Sequence, residues 1–254
     1  MGVVTSLRKM TRNFRRRIYP VDEEKRRARP KKPMSFSYWA MFRRRGLRLP
    51  LAFFFECHLY DLQHKTDTHE ALYLTKYNYK PEHFEHGTWY MSSWTSEILN
   101  SFESVRQHLG ERFHEYTFVD IGCGKGKVVL AWKEELKKYN IDAEVVGIEY
   151  YRPLLDIAIN NYRKLFAEDG RLYEADASTF TYENIGSKLI VYLNNPFDDV
   201  LLRKIVRRLS GIEVVIIYNN PLHYLAITEC GYKVIYEKSG WHPYKWTMIL
   251  INAA

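Results

Sequence analysis

Residues 117–132, TFVDIGCGKGKVVLAW, combine two apolar stretches with three glycines at alternate positions between them. The first stretch, which contains Asp120, is short and apolar and predicts a buried strand, whereas residues 127–137 have the apolar spacing of a helix. Glycines between a strand and a helix allow positive φ angles and let the backbone approach a ligand closely. The first turn of the helix offers free N–H groups and a positive dipole end to a carboxylate or phosphate. The segment therefore predicts the first half of a nucleotide-binding βα unit.

The spacing of these glycines distinguishes between nucleotide ligands. After Gly122 and Gly124, the dinucleotide fingerprint GxGxxG requires a third glycine at position 127, where this chain has Lys127. The sequence instead runs D-x-G-x-G-x-G from Asp120 to Gly126. An NAD-dependent oxidoreductase is therefore disfavoured, and a generic glycine turn in an α/β domain is the alternative to a cofactor site.

Strands and helices alternate through the rest of the chain, which predicts an α/β protein with a doubly wound parallel sheet. After the first strand, further strands are predicted at residues 143–149, 171–174, 189–193, 212–218, 232–236 and 246–251. Helices are predicted at residues 96–109, 127–137 and 153–166, around residues 201–209, and up to residue 229. A Gly-Trp-His-Pro loop at residues 240–243 links the last two strands, which are expected to form an antiparallel hairpin.

Glycines or polar residues follow four of these strands at the point where each strand ends. They are the glycine turn, Glu149, Asp176 and the segment Asn194-Asn195-Pro196-Phe197. In open α/β sheets, ligands bind in the crevice beyond the carboxyl ends of the strands. The sequence therefore predicts that these four groups converge on one crevice.

From about residue 85 to its end, the sequence resembles the class I S-adenosylmethionine (SAM)-dependent methyltransferases. The resemblance rests on the D-x-G-x-G-x-G motif and on an acid, Glu149, that stands 29 positions after Asp120. It implies a Rossmann-like sheet of seven strands with an antiparallel last strand. It also implies that SAM is bound by a set of motif residues, namely Tyr90, Asp120, Gly122, Cys123, Gly124, Gly126, Glu149, Asp176 and Ala177.

Within this set the resemblance implies separate roles. The three glycines shape the pocket for the methionine part of SAM, and Glu149 accepts hydrogen bonds from both ribose hydroxyls, since each carboxylate oxygen can accept one. Asp176 and the Ala177 backbone bind the adenine edge. Residues 87–93 resemble the segment that reaches over the cofactor, although Ser92-Ser93 stands where related sequences often have Pro-Thr. For Glu149 and Asp176, a surface cap or turn residue is the alternative.

The segment at residues 194–197 resembles the (Asp/Asn)-Pro-Pro-(Tyr/Phe) motif of methyltransferases that act on planar amino or amide nitrogens. In those enzymes the Asn side chain and a backbone carbonyl hold the NH₂ group, and the aromatic ring stacks on the target. The resemblance therefore makes Asn194, Asn195, Pro196 and Phe197 the predicted catalytic residues. Asn195 replaces the first proline of the motif, so a turn residue is the alternative there, and the acceptor stays open.

Positive charge is concentrated at the N-terminus. Residues 1–50 carry 16 Lys or Arg and three acids, a net charge of +13, whereas residues 51–254 carry −5. Residues 1–35 are expected to form a basic arm, and contact with polyanions is predicted for residues 1–45. A solvated tail, nucleic acid or ribosome contact, and an anionic membrane surface are the alternatives for the arm. The Met1-Gly2 start also matches the permissive N-myristoylation pattern.

Residues 36–95 are expected to form one or two helices with an aromatic and a basic face, followed by a segment that covers the cofactor. The helices are expected to pack onto the core domain, and a membrane-surface or RNA-contacting helix is the alternative. That segment, residues 66–95, is rich in Tyr, His and Trp and lacks clear periodicity. Its histidines are irregularly spaced, so surface or hydrogen-bonded histidines are expected and no metal site is predicted. The predicted domains are a basic arm at residues 1–35, an extension at 36–95 and a methyltransferase domain at 96–254.

Cysteine and hydropathy patterns bear on the compartment. The three cysteines are scattered and form neither a metal pattern nor a disulfide framework, which fits a reducing compartment. Cys123 lies in the glycine turn, where a small turn residue is expected and a reactive nucleophile is the alternative. No apolar run has the ~18 residues that a membrane span needs, and no signal peptide is visible. A cytoplasmic protein without a transmembrane segment is expected.

The sequence therefore predicts a SAM-dependent methyltransferase that requires no metal. Its acceptor is open among protein, nucleic acid and small molecules, with a planar nitrogen in protein or nucleic acid as one candidate. The principal alternative is a non-catalytic RNA- or ribosome-binding protein with a methyltransferase fold. An aminopropyltransferase generally needs acidic residues to hold a polyamine, whereas Asn-Asn-Pro-Phe follows the fourth strand here.

Overall fold

The computed structural model of the protein describes residues 38–72 and 76–252. The basic arm predicted at residues 1–35 and the Met1-Gly2 start lie outside the described residues. Among the described residues, no helix combines the length and the apolar character that crossing a membrane requires.

A seven-stranded sheet forms the centre of the protein. Its strands are β1 (Thr117–Ile121), β2 (Val145–Glu149), β3 (Arg171–Glu174), β4 (Lys188–Asn194), β5 (Glu213–Asn219), β6 (Tyr232–Lys238) and β7 (Thr247–Asn252). The strand order is β3-β2-β1-β4-β5-β7-β6. Strands β1 to β5 pair in parallel, and β7 is antiparallel to both β5 and β6. The predicted α/β fold with an antiparallel last strand is confirmed.

Helices connect the strands and precede the sheet. In the described part of the chain they are α1 (Tyr38–Arg45), α2 (Arg48–Phe53), α3 (Leu59–His64), α4 (Thr95–Leu109), α5 (Lys127–Lys138), α6 (Arg152–Phe166), α7 (Asp199–Arg208) and α8 (Tyr224–Thr228). The long helices α4, α5 and α6 begin and end within one residue of the sequence prediction.

Two apolar layers cover the two faces of the sheet, and β4 shows how its residues divide between them. Leu189, Val191 and Leu193 pack in the layer that contains α7, whereas Ile190 and Tyr192 pack in the layer that contains α4 and α5. Successive residues of a strand point to opposite faces, so a strand buried on both faces must be apolar at almost every position. This is why the central strands could be recognised as short continuous apolar runs.

A short π-helix at Phe54–His58 joins α2 to α3, so residues 48–64 form one continuous helical segment. In this π-helix the Glu56 carbonyl accepts a hydrogen bond from the Thr95 hydroxyl at 2.8 Å and another from the Lys127 ammonium at 2.6 Å. Lys127 is only 2% exposed, and burial lowers the pKa of its ammonium. The lysine that breaks the dinucleotide fingerprint therefore attaches the N-terminal helices to the start of α5.

Candidate cofactor site

A crevice opens at the carboxyl edge of the sheet, beyond the ends of β1, β2, β3 and β4. The chain passes from β1 outward to β2 and β3, then returns to place β4 on the other side of β1. Such a reversal separates the loops after the strands and creates a ligand crevice. The space in this crevice, including the part open to solvent, is about 740 Å³. Its lining comprises Tyr77, Glu82, His83, Gly87, Thr88, Trp89, Tyr90, Met91, Gly122, Ile148, Glu149, Tyr150, Leu154, Ala175, Asp176, Ala177, Asn194, Pro196, Phe197 and Leu201.

The glycine turn after β1 allows two other segments to lie against its backbone. A Cβ atom at Gly124 would stand 2.1 Å from the Tyr90 ring, and a Cβ atom at Gly122 would stand 3.1 Å from Cβ of Pro196. Both glycines also have positive φ angles, 55° at Gly124 and 77° at Gly122. A larger residue is therefore excluded by contact at Gly124 and crowded at Gly122, and at both positions its backbone would be strained.

Glu149 ends β2 with its carboxylate turned back onto the glycine turn. One carboxylate oxygen accepts the Gly124 N–H and the other accepts the Tyr151 N–H, each at 2.9 Å. Burial raises the pKa of this carboxyl to about 7, although the N–H groups of Tyr151 and Gly124 act in the opposite direction. A carboxylate offers about four lone-pair positions, and the N–H groups of Gly124, Tyr151 and Tyr150 use up to three of them.

Asp176 follows β3, the strand next to the one that ends in Glu149, and lines the crevice together with Ala177. Its carboxylate accepts the Ser178 N–H at 2.7 Å and lies 2.7 Å from Nδ1 of His83. Burial alone would raise the pKa of Asp176, but the hydrogen bonds from Ser178 and His83 lower it. An ionised Asp176 with a donor on each oxygen is suited to hold the exocyclic amine of a base.

Glu82, His83 and Asp176 also bring one ligand atom each to within 4.8 Å of one another, a spacing at which they could hold a cation. The other histidines of this region are hydrogen-bonded, as predicted. His69 pairs with Asp61 and His86 pairs with Asp198.

The predicted catalytic segment follows β4 and pairs with the covering segment. The Thr88 N–H donates to the Pro196 carbonyl at 2.9 Å, and the Thr88 hydroxyl donates to the Asn195 carbonyl at 3.0 Å. The Asn194 amide donates to the Met91 carbonyl at 3.2 Å. These bonds close one side of the crevice, and they occupy backbone carbonyls that the motif would use on a substrate.

Asn195 and Asn220 occupy equivalent positions in two neighbouring loops. Both follow the last residue of a strand, precede a proline and have positive φ angles, 47° for Asn195 and 50° for Asn220. The preceding asparagines, Asn194 and Asn219, are paired in the β4–β5 register. Asparagine is among the few residues that adopt this left-handed conformation readily. The Asn195 side chain accepts the Tyr218 hydroxyl at 3.1 Å and does not line the crevice.

Asp120, Cys123, Gly124 and Gly126 belong to the predicted cofactor set but lie behind the lining of the crevice. Asp120 is 3% exposed, and burial together with the Glu149 charge raises the pKa of its carboxyl well above the usual value. Burial also strongly raises the pKa of the Cys123 thiol, which disfavours a reactive thiolate. The structure therefore places Asp120 in the strand before the turn and Cys123 within the turn, and both are buried.

A buried network around Asp61 supports the turn from outside the crevice. Its carboxylate accepts the hydroxyls of Thr66 and Thr68 at 2.7 and 2.8 Å and the N–H groups of Thr68 and His69 at 2.8 Å each. These bonds lower the pKa of Asp61, although burial alone would raise it. The Thr68 carbonyl in turn accepts the Tyr90 hydroxyl at 2.7 Å. Asp61 thereby holds the loop that fixes Tyr90 over the glycines.

Sequence reasoning placed residues 87–93, which include Thr88 and Met91, over the crevice, and both of these residues line it. It missed Tyr77 and His83 in the covering segment and Tyr150 after β2, which also line the cavity. The available signal was the density of Tyr, His and Trp in residues 66–95, which lacks a period and so cannot say which side chains face a ligand. The structure does not describe residues 73–75 of this segment.

Comparison with known proteins gives similarity in fold only. No family model matches the sequence, and no curated protein matches it. A mutant of the protein MtNAS in complex with S-adenosylmethionine has a TM-score of 0.46 and 12% identity, over 63% of this chain and 62% of that chain. The similarity thus spans less than two thirds of that protein's length.

Two further solved structures are similar to the same degree. Magnesium protoporphyrin IX methyltransferase from Synechocystis, with bound SAM, has a TM-score of 0.45 and 12% identity over 62% of this chain and 81% of that chain. A ribosomal protein L11 methylase from Lactobacillus delbrueckii has a TM-score of 0.43 and 12% identity over 73% and 98%. Similarities at this level carry no conclusion about ligand or reaction, and the fold is established by the strand order itself.

Proposed function

We propose that this protein is a SAM-dependent methyltransferase and that the crevice beyond β1, β2, β3 and β4 holds SAM. The observation that supports this most strongly is the convergence of the four predicted strand ends on one cavity. Gly122, Glu149, Asp176 and the segment at residues 194–197 all contribute to its lining. A generic glycine turn would give no reason for a carboxylate at the end of β2 and another after β3.

The residues of the crevice fit the three parts of SAM. Glu149 accepts the ribose hydroxyls, an assignment supported by the ability of each carboxylate oxygen to accept more than one hydrogen bond. Asp176 and the Ala177 backbone hold the adenine edge. The glycine turn, over which Tyr90 packs, receives the methionine part.

When bound, SAM supplies an electrophilic methyl group on a positively charged sulfur. The protein's residues orient the acceptor atom in line with that group and exclude water, which is the main contribution that such a transfer requires. Asn194 and Phe197 both lie in the cavity wall. We assign them to the acceptor, with the ring of Phe197 stacking on a planar group and the Asn194 carboxamide orienting its nitrogen.

Within this proposal the acceptor is a planar nitrogen in protein or nucleic acid. Asn195 contributes less directly than its place in the motif suggests, because its carbonyl accepts Thr88 and its side chain accepts Tyr218. Its left-handed backbone supports a role in turning the chain after β4.

Calorimetric titration with SAM, decarboxylated SAM and NAD tests the cofactor. SAM is expected to bind, and Glu149→Ala should weaken binding by roughly a hundredfold or more because two charge-assisted hydrogen bonds are lost. Tighter binding of NAD or decarboxylated SAM than of SAM would replace the methyltransferase by an oxidoreductase or an aminopropyltransferase.

A further inference from the structure

Large apolar side chains are exposed along the first helices. Trp39 is 67% exposed, Leu47 66%, Leu51 54% and Phe55 58%. Leu47, Leu51 and Phe55 recur at intervals of four residues, which places them along one side of the helical segment. Phe42 is also exposed and stacks on Trp39 with ring centroids 5.6 Å apart. These five side chains form a surface that we call the N-terminal face.

Cations flank the N-terminal face, and the acids of the same helices point away from it. The arginines at residues 43–45 and Arg48 are exposed. Residues 38–64 contain only two acids, Glu56 and Asp61, and both turn inward. The Glu56 side chain is 13% exposed and accepts two hydrogen bonds from Ser96, and Asp61 is 6% exposed within its own network. The outer side of these helices is therefore apolar and cationic.

We propose that the N-terminal face binds the surface of an anionic phospholipid membrane. An interfacial helix places aromatic and aliphatic side chains at the boundary between headgroups and acyl chains, and its arginines reach the lipid phosphates. The basic residues 1–35 add electrostatic attraction to the same surface. This proposal is independent of the identity of the cofactor.

Other occupants fit the N-terminal face less well. A second copy of the chain paired by a two-fold axis would bring the same patch, and hence the same arginines, against itself. The basic arm of this chain has the same sign of charge as the arginines it would have to cover. Single-stranded RNA binds through phosphates and through bases that stack on aromatic rings, and Leu47 and Leu51 offer neither contact. A lipid surface is complementary to both the charge and the aliphatic groups.

Contacts link the N-terminal face to the crevice. The Arg48 guanidinium lies 4.3 Å from the ring centroid of Trp241 in the β6–β7 loop, and the Arg45 guanidinium donates to the Trp241 carbonyl at 2.8 Å. From the same loop, the Tyr244 hydroxyl donates to the sulfur of Met91, which lines the crevice, at 2.6 Å. One loop therefore contacts both the arginines beside the N-terminal face and a residue of the crevice lining.

Co-sedimentation of the full chain with phosphatidylglycerol/phosphatidylcholine vesicles tests the proposal, with pure phosphatidylcholine vesicles as the comparison. The paired substitution Leu51→Ser and Phe55→Ser should lower the affinity for anionic vesicles about tenfold or more, because two apolar side chains would no longer be buried in the membrane. The matched control is Leu225→Ser with Val200→Ser, since those side chains are 52% and 49% exposed elsewhere on the surface. The control pair should bind like the unaltered protein.

A spectroscopic measurement gives a second readout that needs no change in affinity. Quenching of tryptophan fluorescence by brominated acyl chains should decrease in Trp39→Phe, because Trp39 is the tryptophan placed on the lipid. Equal vesicle affinity of the Leu51/Phe55 variant and its control would overturn the proposal and leave the basic arm as the binding element. Quenching unchanged in Trp39→Phe would overturn it too. The proposal would also be overturned if the Leu51/Phe55 variant kept its vesicle binding but lost either self-association or binding to a single-stranded RNA.

Discussion

Replacing Glu149 by Gln keeps the size of the side chain and removes one acceptor oxygen and the charge. In the structure the carboxylate accepts the Gly124 and Tyr151 N–H groups at 2.9 Å each. Each oxygen can accept more than one hydrogen bond, and the proposal assigns the ribose hydroxyls of SAM to the same carboxylate. The Gln side chain can serve only one hydroxyl, and without charge. Hydrogen bonds to charged groups contribute about 1.5–3 kcal/mol each, so a loss near 3 kcal/mol, or about a hundredfold in affinity, is expected.

The pH dependence of SAM binding follows from the raised pKa of Glu149. The carboxyl has a pKa of about 7 in the ligand-free protein, whereas the proposed contacts use the ionised form. Affinity should therefore rise with pH and level off above pH 7. At pH 6 about one molecule in ten is ionised, so the affinity should be roughly tenfold lower than at pH 8. The Gln variant has no carboxyl to titrate, and its affinity should not change over this interval.

The same pKa predicts how the stability of the ligand-free protein changes with pH. The folded-state pKa of about 7 lies above the ordinary value of 4.5, so the folded state binds the proton more tightly than the unfolded chain does. The resulting stabilisation is present below about pH 4.5 and is lost as pH rises through about 7. Its upper limit is roughly 3 kcal/mol.

Isothermal titration calorimetry at pH 6, 7 and 8 measures these effects on binding. The matched control is Glu174→Gln, because Glu174 is an exposed carboxylate paired with Glu149 in the β2–β3 register. The control should bind SAM like the unaltered protein at every pH. Undiminished affinity in Glu149→Gln would refute the reasoning. A pH dependence that persisted in that variant would show that Glu149 is not the titrating group.

Substitutions at Asp61, Asn195 and Gly124 test other parts of the site. Asp61→Ala leaves several buried donors without an acceptor, so it should lower the free energy of unfolding by roughly 3–5 kcal/mol in urea titrations, and Asp61→Asn should lower it less. A loss under about 1 kcal/mol for Asp61→Ala would contradict a stabilising role of the network. Asn195→Gly should preserve turnover. Asn195→Ala should lower the free energy of unfolding by about 1–2 kcal/mol, because alanine is strained at this backbone conformation and glycine is not. An equal loss of turnover in both variants would indicate that the Asn195 side chain is catalytic. Gly124→Ala should abolish SAM binding, because the new methyl group would contact the Tyr90 ring. Adding Tyr90→Ala should restore part of the binding. If binding did not recover, the strained backbone at residue 124 alone would account for the loss.

The sheet could be predicted because each strand carries its own local signal. The apolar runs of β4 and β5 are bounded by polar residues, and both observed strands lie within one residue of the prediction. Strand β6 is longer than predicted and ends at Lys238. Its outer residues are exposed, so hydropathy does not mark its end. The glycine turn was equally recognisable, because its glycines stand at alternate positions within one short segment of the sequence.

The connections that support the site could not be predicted, because they join residues far apart in the sequence. Lys127 binds the carbonyl of Glu56, and His83 binds Asp176, over separations of 71 and 93 positions. The position of a lysine or a histidine in the sequence does not indicate such a distant partner. Asn195 shows the converse difficulty, since one sequence motif is compatible with a catalytic residue and with a left-handed turn. Only the φ angle of 47° and the matching loop at Asn220 favour the turn.

The transfer of a methyl group tests the proposed function most directly. Radiolabelled SAM would be incubated with the protein and a cell extract, and the extract would then be separated into protein, RNA, DNA, lipid and small molecules. The account predicts label in one fraction with the unaltered protein and none with Glu149→Ala. Absence of label from every fraction, or equal labelling by the variant, would contradict a methyltransferase that uses this crevice.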